Sequence, residues 1–225
     1  MSLRYTTGRA YGLPLMKFAL TFDGRLPSNG DRQDKWDIRK LLVPQLEELW
    51  GTNHVLQETL RNRLVPTTGG YLIATLHHSL DAHAKPLQLP KGDPGIDTCA
   101  VIQVGPRAFL PLVRNTLGLT CTLDILFLRK EEPGNIVNRG DLDNRLKTLF
   151  DALSIPDAQQ IVPDTTIADP IYCLMENDRL ITGVNIETRQ LLNRPNSHAN
   201  EVRLIIDVTV NVTHARAYNH QFLAD

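Results

Sequence analysis

Between Asp141 and Leu153 the chain reads Asp-Leu-Asp-Asn-Arg-Leu-Lys-Thr-Leu-Phe-Asp-Ala-Leu, and this stretch limits the fold more than any other. Leu142, Leu146, Leu149 and Leu153 recur at i, i+4, i+7 and i+11, so they line one side of a helix with Phe150 at its border. That side must face a core. Asp143, Lys147 and Asp151 follow at i, i+4 and i+8 on the flank beside the leucines, with Asn144 a little further round. Asp141, just after Gly140, is the expected N-cap, which sets its carboxylate beside that of Asp143 in the first turn.

Such acids have two readings. Asp is favoured at a helix start by free N–H groups and the helix dipole, and Asp143, Lys147 and Asp151 have the spacing of ordinary ion pairs. Alternatively, converging carboxylates repel by about 4 kcal/mol per pair at about 4 Å in an effective dielectric of about 20, unless a cation lies between them. Hard oxygen ligands of this kind suit Mg²⁺ or Mn²⁺. A third carboxylate would complete the set, and the leading candidate is Asp178 in Glu176-Asn177-Asp178-Arg179-Leu180-Ile181, a polar turn feeding an apolar, β-rich run.

The pairing of Asp-Leu-Asp-Asn-x-x-Lys-x-x-Phe-Asp-Ala-Leu with a later acidic turn before a strand resembles the RusA-type Holliday junction resolvases, which are Mg²⁺-dependent homodimeric endonucleases. The resemblance implies that Asp141, Asp143 and Asp178 hold the metal and that Lys147 is needed for cleavage. It extends to Leu20-Thr21-Phe22 followed by Leu26-Pro27-Ser28-Asn29, which is similar to the family's first strand and its Pro-Ser-Asn loop. Two insertions enlarge this chain beyond the family's core, one from about 52 to 100 and one from 154 to 175. Because the second separates helix from turn, Asp157, Asp164, Asp169 and Glu176 are alternative third acids.

The chain has 225 residues, 42% hydrophobic and 22% charged, enough for one generous domain. No apolar run reaches the length of a membrane span and the polar start has no signal-peptide pattern, so a cytoplasmic protein is expected. Cys99, Cys121 and Cys173 are odd in number and widely spaced, as expected of reduced buried thiols. The net charge of -1 exerts no global pull on DNA, but its distribution is uneven: residues 1–130 carry 16 Lys+Arg against 11 Asp+Glu, and residues 131–225 carry 8 against 14. Arg129, Lys130 and Arg139, in and after the strand that leads to Asp141, are candidate phosphate contacts together with Lys147.

Strands are expected over Leu15–Phe22, Leu119–Arg129, Leu180–Leu191 and Glu201–Val212, the third and fourth as a long hairpin, with another over Ala100–Val104. Asp34 is the expected cap of a helix running to Trp50, kinked or divided at Pro44, with Lys35, Arg39 and Lys40 off its apolar stripe. A second short helix is expected over His54–Leu64, Tyr71–Leu80 reads as either helix or strand, and Ser154–Asp169 reads as an irregular excursion. His77, His78 and His83 lack the spacing of a zinc site, and no glycine-rich nucleotide-binding loop is present.

The expected fold is α+β: a single domain with a mixed sheet and the acidic helix packed on it through a β-α-β crossover. The expected function is metal-dependent hydrolysis of phosphodiesters in branched DNA by a homodimer, without a nucleotide cofactor. The alternatives are a metal nuclease of flaps or forks, or a non-catalytic nucleic-acid-binding or assembly protein.

Overall fold

The computed structural model describes residues 16–67, 70–75, 101–130, 141–192, 200–213 and 219; for residues 58–67 and 70–75 and for Asp141 only the backbone is described. The expected histidine cluster, Arg139, Cys99 and the start and end of the chain lie outside the described residues.

Three strands with strict alternation make the main sheet. In β6 (Leu119–Arg129) and β9 (Glu201–Val212) every second side chain is buried, including Leu123, Ile125 and Phe127, and Leu204, Ile206 and Val208; β1 (Met16–Arg25) keeps the same period with Met16, Leu20 and Phe22 buried and Phe18 half-buried. Period-two burial means that one face is covered and one is left open. With β8 (Ile181–Gln190) at the edge, the order is β1-β9-β6-β8. β8 does not form the expected hairpin with β9: it pairs in parallel with β6, and β9 lies antiparallel on β6's other side. The helix between β6 and β8 explains this, because a crossover returns the chain parallel to the strand it left. The expected crossover is therefore present.

The covered face carries α1 (Arg32–Thr52) and α3 (Asp141–Leu153). Leu146, Leu149, Ala152 and Leu153 of α3 share one apolar cluster with Ile38, Leu42, Leu46 and Trp50 of α1 and with the sheet. α1 is capped by Asp31 rather than Asp34: Gln33 and Asp34 N–H donate to Asp31 Oδ1 at 2.8 and 2.9 Å, and Asp31 N–H donates to Asp34 Oδ2 at 3.1 Å. This reciprocal box starts the helix three residues earlier than expected. Pro44 neither ends nor divides it.

Behind α1 lies a second sheet of β4 (Ile102–Val104), β5 (Arg107–Val113) and β7 (Ile171–Met175), with β5 and β7 parallel. The expected irregular excursion over Ser154–Asp169 carries one 3-10 turn, at Ala158–Gln160, and the second insertion ends in β7. Arg107 pins it by donating to Asp169 Oδ1 and to the carbonyls of Asp164 and Ile167, each at 2.6 Å. The first insertion opens with α2 (His54–Arg61) and continues as a β2 (Asn62–Thr67) and β3 (Gly70–Thr75) hairpin, which settles the start of the Tyr71–Leu80 segment as strand.

Cys121 and Cys173 are free and buried. Burial pushes the Cys121 thiol up to about 12 and that of Cys173 up to about 11, the latter despite the opposing pull of Arg39. Neither is expected to react with a thiol-specific disulfide reagent at pH 8 until denaturant is added, which a colorimetric titration of the native and unfolded chain checks. Fast native modification at either position would contradict this packing. Among the described residues no helix is long and apolar enough to cross a membrane.

Candidate functional site

α3 is held at both ends by polar contacts. Near its start, Arg145, only 7% exposed, donates through Nη1 to Leu26 O at 2.6 Å and through Nη2 to Asn200 Oδ1 at 3.1 Å, while Leu26 N–H donates to Asn200 O at 2.8 Å. One turn on, the buried Thr148 hydroxyl accepts from Gly30 N–H at 3.0 Å and donates to Asn144 O at 3.1 Å. The Leu26–Gly30 loop is therefore clasped to α3. Gly30 fits because it has no side chain: a Cβ there would sit 2.6 Å from Thr148 Cγ2. At the other end, Arg39 Nη2 donates to the carbonyls of Asp151 and Ser154, both at 2.9 Å, and Lys35 Nζ lies 2.7 Å from Asp151 Oδ2.

These bonds fix where the first turn of α3 lies. Leu26 follows Arg25, which pairs with Glu201, and the adjoining Val202 pairs with Arg129, which is aligned with Gln190. The amino-terminal half of α3 thus meets the edge of the sheet where β1, β6 and β8 end and β9 begins. In open α/β sheets the carboxyl ends of parallel strands are the usual place for a ligand. Asp143 and Lys147 are exposed there, and among the described residues neither has an ion-pair partner. The reading of Asp143, Lys147 and Asp151 as a row of i,i+4 ion pairs is not met: Asp151 pairs with Lys35, and Asp143 and Lys147 do not pair with each other.

Asp178 lies elsewhere. It opens a 3-10 turn directly before β8, whose first residue Ile181 is aligned with Cys121. Cys121 and Arg129 are separated by about 26 Å of strand at about 3.3 Å per residue. Met175, three residues before Asp178, bridges Ser154 just past the carboxyl end of α3, and Ile155 N–H donates to Met175 O at 3.2 Å. Asp178 is exposed, but on the side of the last turn of α3, whereas Asp143 is in the first. Among the described residues no three His, Cys, Asp or Glu side chains converge as a metal site.

The alternative third acids are also committed elsewhere. Asp164 accepts from Trp36 Nε1 at 3.1 Å, from Thr166 N–H at 2.7 Å and hydroxyl at 2.6 Å, and lies 3.0 Å from Lys40 Nζ. The Thr166 bonds, with Lys40 and Trp36 behind them, hold its carboxyl far below the usual carboxylate range. Asp169 accepts from Arg107 and from Ala108 N–H, and Glu176 accepts from Asn115 N–H at 3.2 Å. Asp157 is exposed at the start of the Ala158–Gln160 turn, past the far end of α3.

The basic candidates divide similarly. Lys130 is exposed at the end of β6, whereas Arg129 is buried at 6% exposure on the covered face and does not present its guanidinium to solvent. Its place in the alternation, two residues after Phe127, carries that consequence. On α1, Lys35 and Lys40 are engaged by carboxylates and Arg39 is buried, so that row is no exposed phosphate track. Arg25 and Arg32 are exposed on either side of the clasped loop, Arg25 in a loose 3.7 Å pair with Asp34.

Sequence reasoning missed Arg145 and Thr148. The signal was their spacing: Arg145, Thr148, Leu149 and Ala152 follow i, i+3, i+4 and i+7 and are all buried, so two polar residues stand on a core-facing stripe.

The chain matches no protein-family model, no curated protein and no solved structure.

Proposed function

We propose that this protein is a metal-dependent endonuclease acting on branched DNA, with its working groups at the first turns of α3. The observation that carries the reading is the pair Asp143 and Lys147, exposed, unpaired among the described residues, and set at the carboxyl ends of a parallel strand pair beside a loop clasped to the same helix.

The donor set fits one mode of metal binding. Mg²⁺ keeps several waters and is commonly held by one or two carboxylates plus substrate phosphates, so Asp143 with Asp141 suffices without a protein cage. Bound there, the metal supplies a more acidic water and neutralises charge on the phosphoryl group. Asp143 would hold such an ion at the helix start. Lys147, one turn on, offers its ammonium to a phosphoryl or leaving oxygen, where a positive charge counts most in the transition state. Lys130 adds a contact to the flanking phosphates. With a net charge of -1, affinity comes from such local contacts and falls steeply with salt. The homodimer, the preference for four-way junctions, whose two-fold symmetry a C₂ dimer matches, and a cytoplasmic location rest on the sequence resemblance and composition.

The position of Asp178 favours a second reading, a non-catalytic nucleic-acid-binding protein on the same frame. Labelled four-way junctions, flaps and forks incubated with Mg²⁺, Mn²⁺ or EDTA separate the two. Paired nicks in the junction arms that require metal are expected. Binding without nicks in any metal would select the second reading, and nicking confined to flaps or forks would reassign the substrate.

A further inference from the structure

We propose that the outer edge of β8 is an interaction surface for a second copy of this chain, whose own β8 adds antiparallel to it about a two-fold axis at Thr188. The proposal names a surface for the homodimer of the nuclease reading, yet it stands on edge geometry and holds whether or not the protein cleaves DNA.

The main sheet has two edges, and they are finished differently. On β1, Thr21 turns its backbone away from β9 and is met by a side-chain amide: Thr21 N–H donates to Gln45 Oε1 at 2.8 Å, and Gln45 Nε2 donates to Thr21 O at 2.8 Å. Gln45 thus closes the middle of that edge as a further strand would. β8 has no such guard. It is 10 residues long, contains neither Pro nor Lys, and among the described residues no backbone group bonds to its outer side. Of the three large apolar side chains exposed among the described residues, two, Val184 at 42% and Leu192 at 74%, belong to this run.

Hydrogen-bond phase and side-chain order together select one register. Leu191 N–H donates to Arg129 O, so the odd-numbered residues from Gly183 to Arg189 turn their backbone groups to β6, and Val184, Ile186, Thr188 and Gln190 turn theirs outward. Two antiparallel copies must therefore pair even-numbered residues with even. Centred on Thr188, the ladder sets Thr188 opposite Thr188 of the second copy, Ile186 opposite its Gln190, and Val184 opposite its Leu192. The two exposed apolar residues meet. On the other face of the sheet Glu187 falls opposite Arg189 of the second copy, and Arg189 opposite its Glu187. The neighbouring in-phase registers, centred at residue 187 or 189, oppose Glu187 to Glu187 or Arg189 to Arg189, and like charges directly opposed are destabilising. Within one chain Glu187 and Arg189 are exposed and pair at 2.7 Å, so the favoured register closes a square of alternating charges across the axis. An axis normal to the sheet also keeps both copies of α3 on one face of the joined sheets.

The test follows association of the full chain by sedimentation equilibrium without DNA, for the parent, Glu187→Arg, Arg189→Glu, an equimolar mixture of those two variants, and Thr188→Pro. The parent is expected as a two-chain species at micromolar concentration. Each charge variant alone should associate about tenfold more weakly or worse, because the like-charge contact it creates occurs twice across the axis. In the mixture two arginines of one chain face two glutamates of the other, and association should return to within about threefold of the parent. Thr188→Pro deletes the outward N–H at the axis, which β6 does not use, so it should lose the two-chain species and keep its fold.

A parent that stays single, as it would if another segment of the chain or another protein covered this edge, would overturn the proposal. So would a two-chain species that none of the variants weakens. Loss in both charge variants without recovery in their mixture would overturn the pairing about Thr188. Should Thr188→Pro fail to fold, the charge variants and their mixture decide alone. Recovery in the mixture of a protein that nicks no DNA leaves the interface standing while the nuclease reading falls, and nicking by a chain that never dimerises does the reverse.

Discussion

Asp143→Asn is expected to lower metal-dependent nicking of a four-way junction by at least about 100-fold while the protein still binds the junction in EDTA. The factor is a floor, because even groups that only support a metal ligand cost about 10- to 100-fold when removed. Asn matches Asp in shape and is tolerated in the first turn of a helix, and Asp143 is exposed without a partner among the described residues, so the fold should not notice the change. What disappears is the anionic oxygen. Binding in EDTA should be equal or slightly tighter, since one negative charge has left a phosphate-facing surface. Asp178→Asn supplies the contrast: at the opposite end of α3 it should change nicking by less than about twofold, within the range of an exposed substitution that touches no special feature. Equal losses in the two variants would mean that Asp178 reaches the same metal. A loss of binding parallel to the loss of nicking in Asp143→Asn would make Asp143 a contact for DNA rather than for a cation.

The legible parts of this fold are those where one face is buried and the other is wet. β1, β6, β9 and α3 each write that contrast into their own residues, as with Leu123, Ile125 and Phe127 against Asp124 in β6. β5 and β7 do not. Ile171 to Met175 is buried throughout and Ala108 to Val113 likewise, so neither alternates, and Pro111 argues against a strand although it pairs with Cys173. Period says nothing about a strand covered on both sides.

The site was half legible for a related reason. Local spacing set Asp143 and Lys147 on one flank of one helix, and the resemblance drew attention to the Pro-Ser-Asn loop that packs on that helix. Which distant carboxylate joins them is a question of topology: the parallel bridge between Ser154 and Met175 sends the chain past the wrong end of α3. Buried polar residues were the other blind spot. Arg39 and Arg145 look like solvated bases in a linear reading, and each instead satisfies backbone carbonyls inside the protein.

Arg39→Met is expected to destabilise the protein by about 3 kcal/mol, seen as a fall in thermal midpoint of roughly 6–12 °C. Arg39 is 3% exposed, and burial lowers its pKa against the opposing pull of Cys173 and Asp151. It nonetheless keeps its charge, because the arginine guanidinium is not deprotonated in proteins. Its Nη2 serves the carbonyls of Asp151, in the last turn of α3, and of Ser154, just past it, and the negative end of the helix dipole favours a cation there. The guanidinium also stacks 5.3 Å from the centre of the Trp36 ring. Met replaces the stem but leaves both carbonyls without that donor in a packed interface. Lys at this position should recover only part of the loss, since a point ammonium cannot both bridge two carbonyls and stack flat on an indole. The nearby Lys35 and Asp151 pair, more exposed, should be worth less than about 1 kcal/mol. The difference bears on function. A leucine face alone lets a helix slide, whereas directional bonds at Arg39 on one end and Arg145 and Thr148 on the other fix its register. Through that register the first turn of α3 stays at the end of the sheet where β1, β6 and β8 end. A midpoint for Arg39→Met within about 1 °C of the parent would mean that water replaces the guanidinium at no cost, and that α3 is held by its leucines after all.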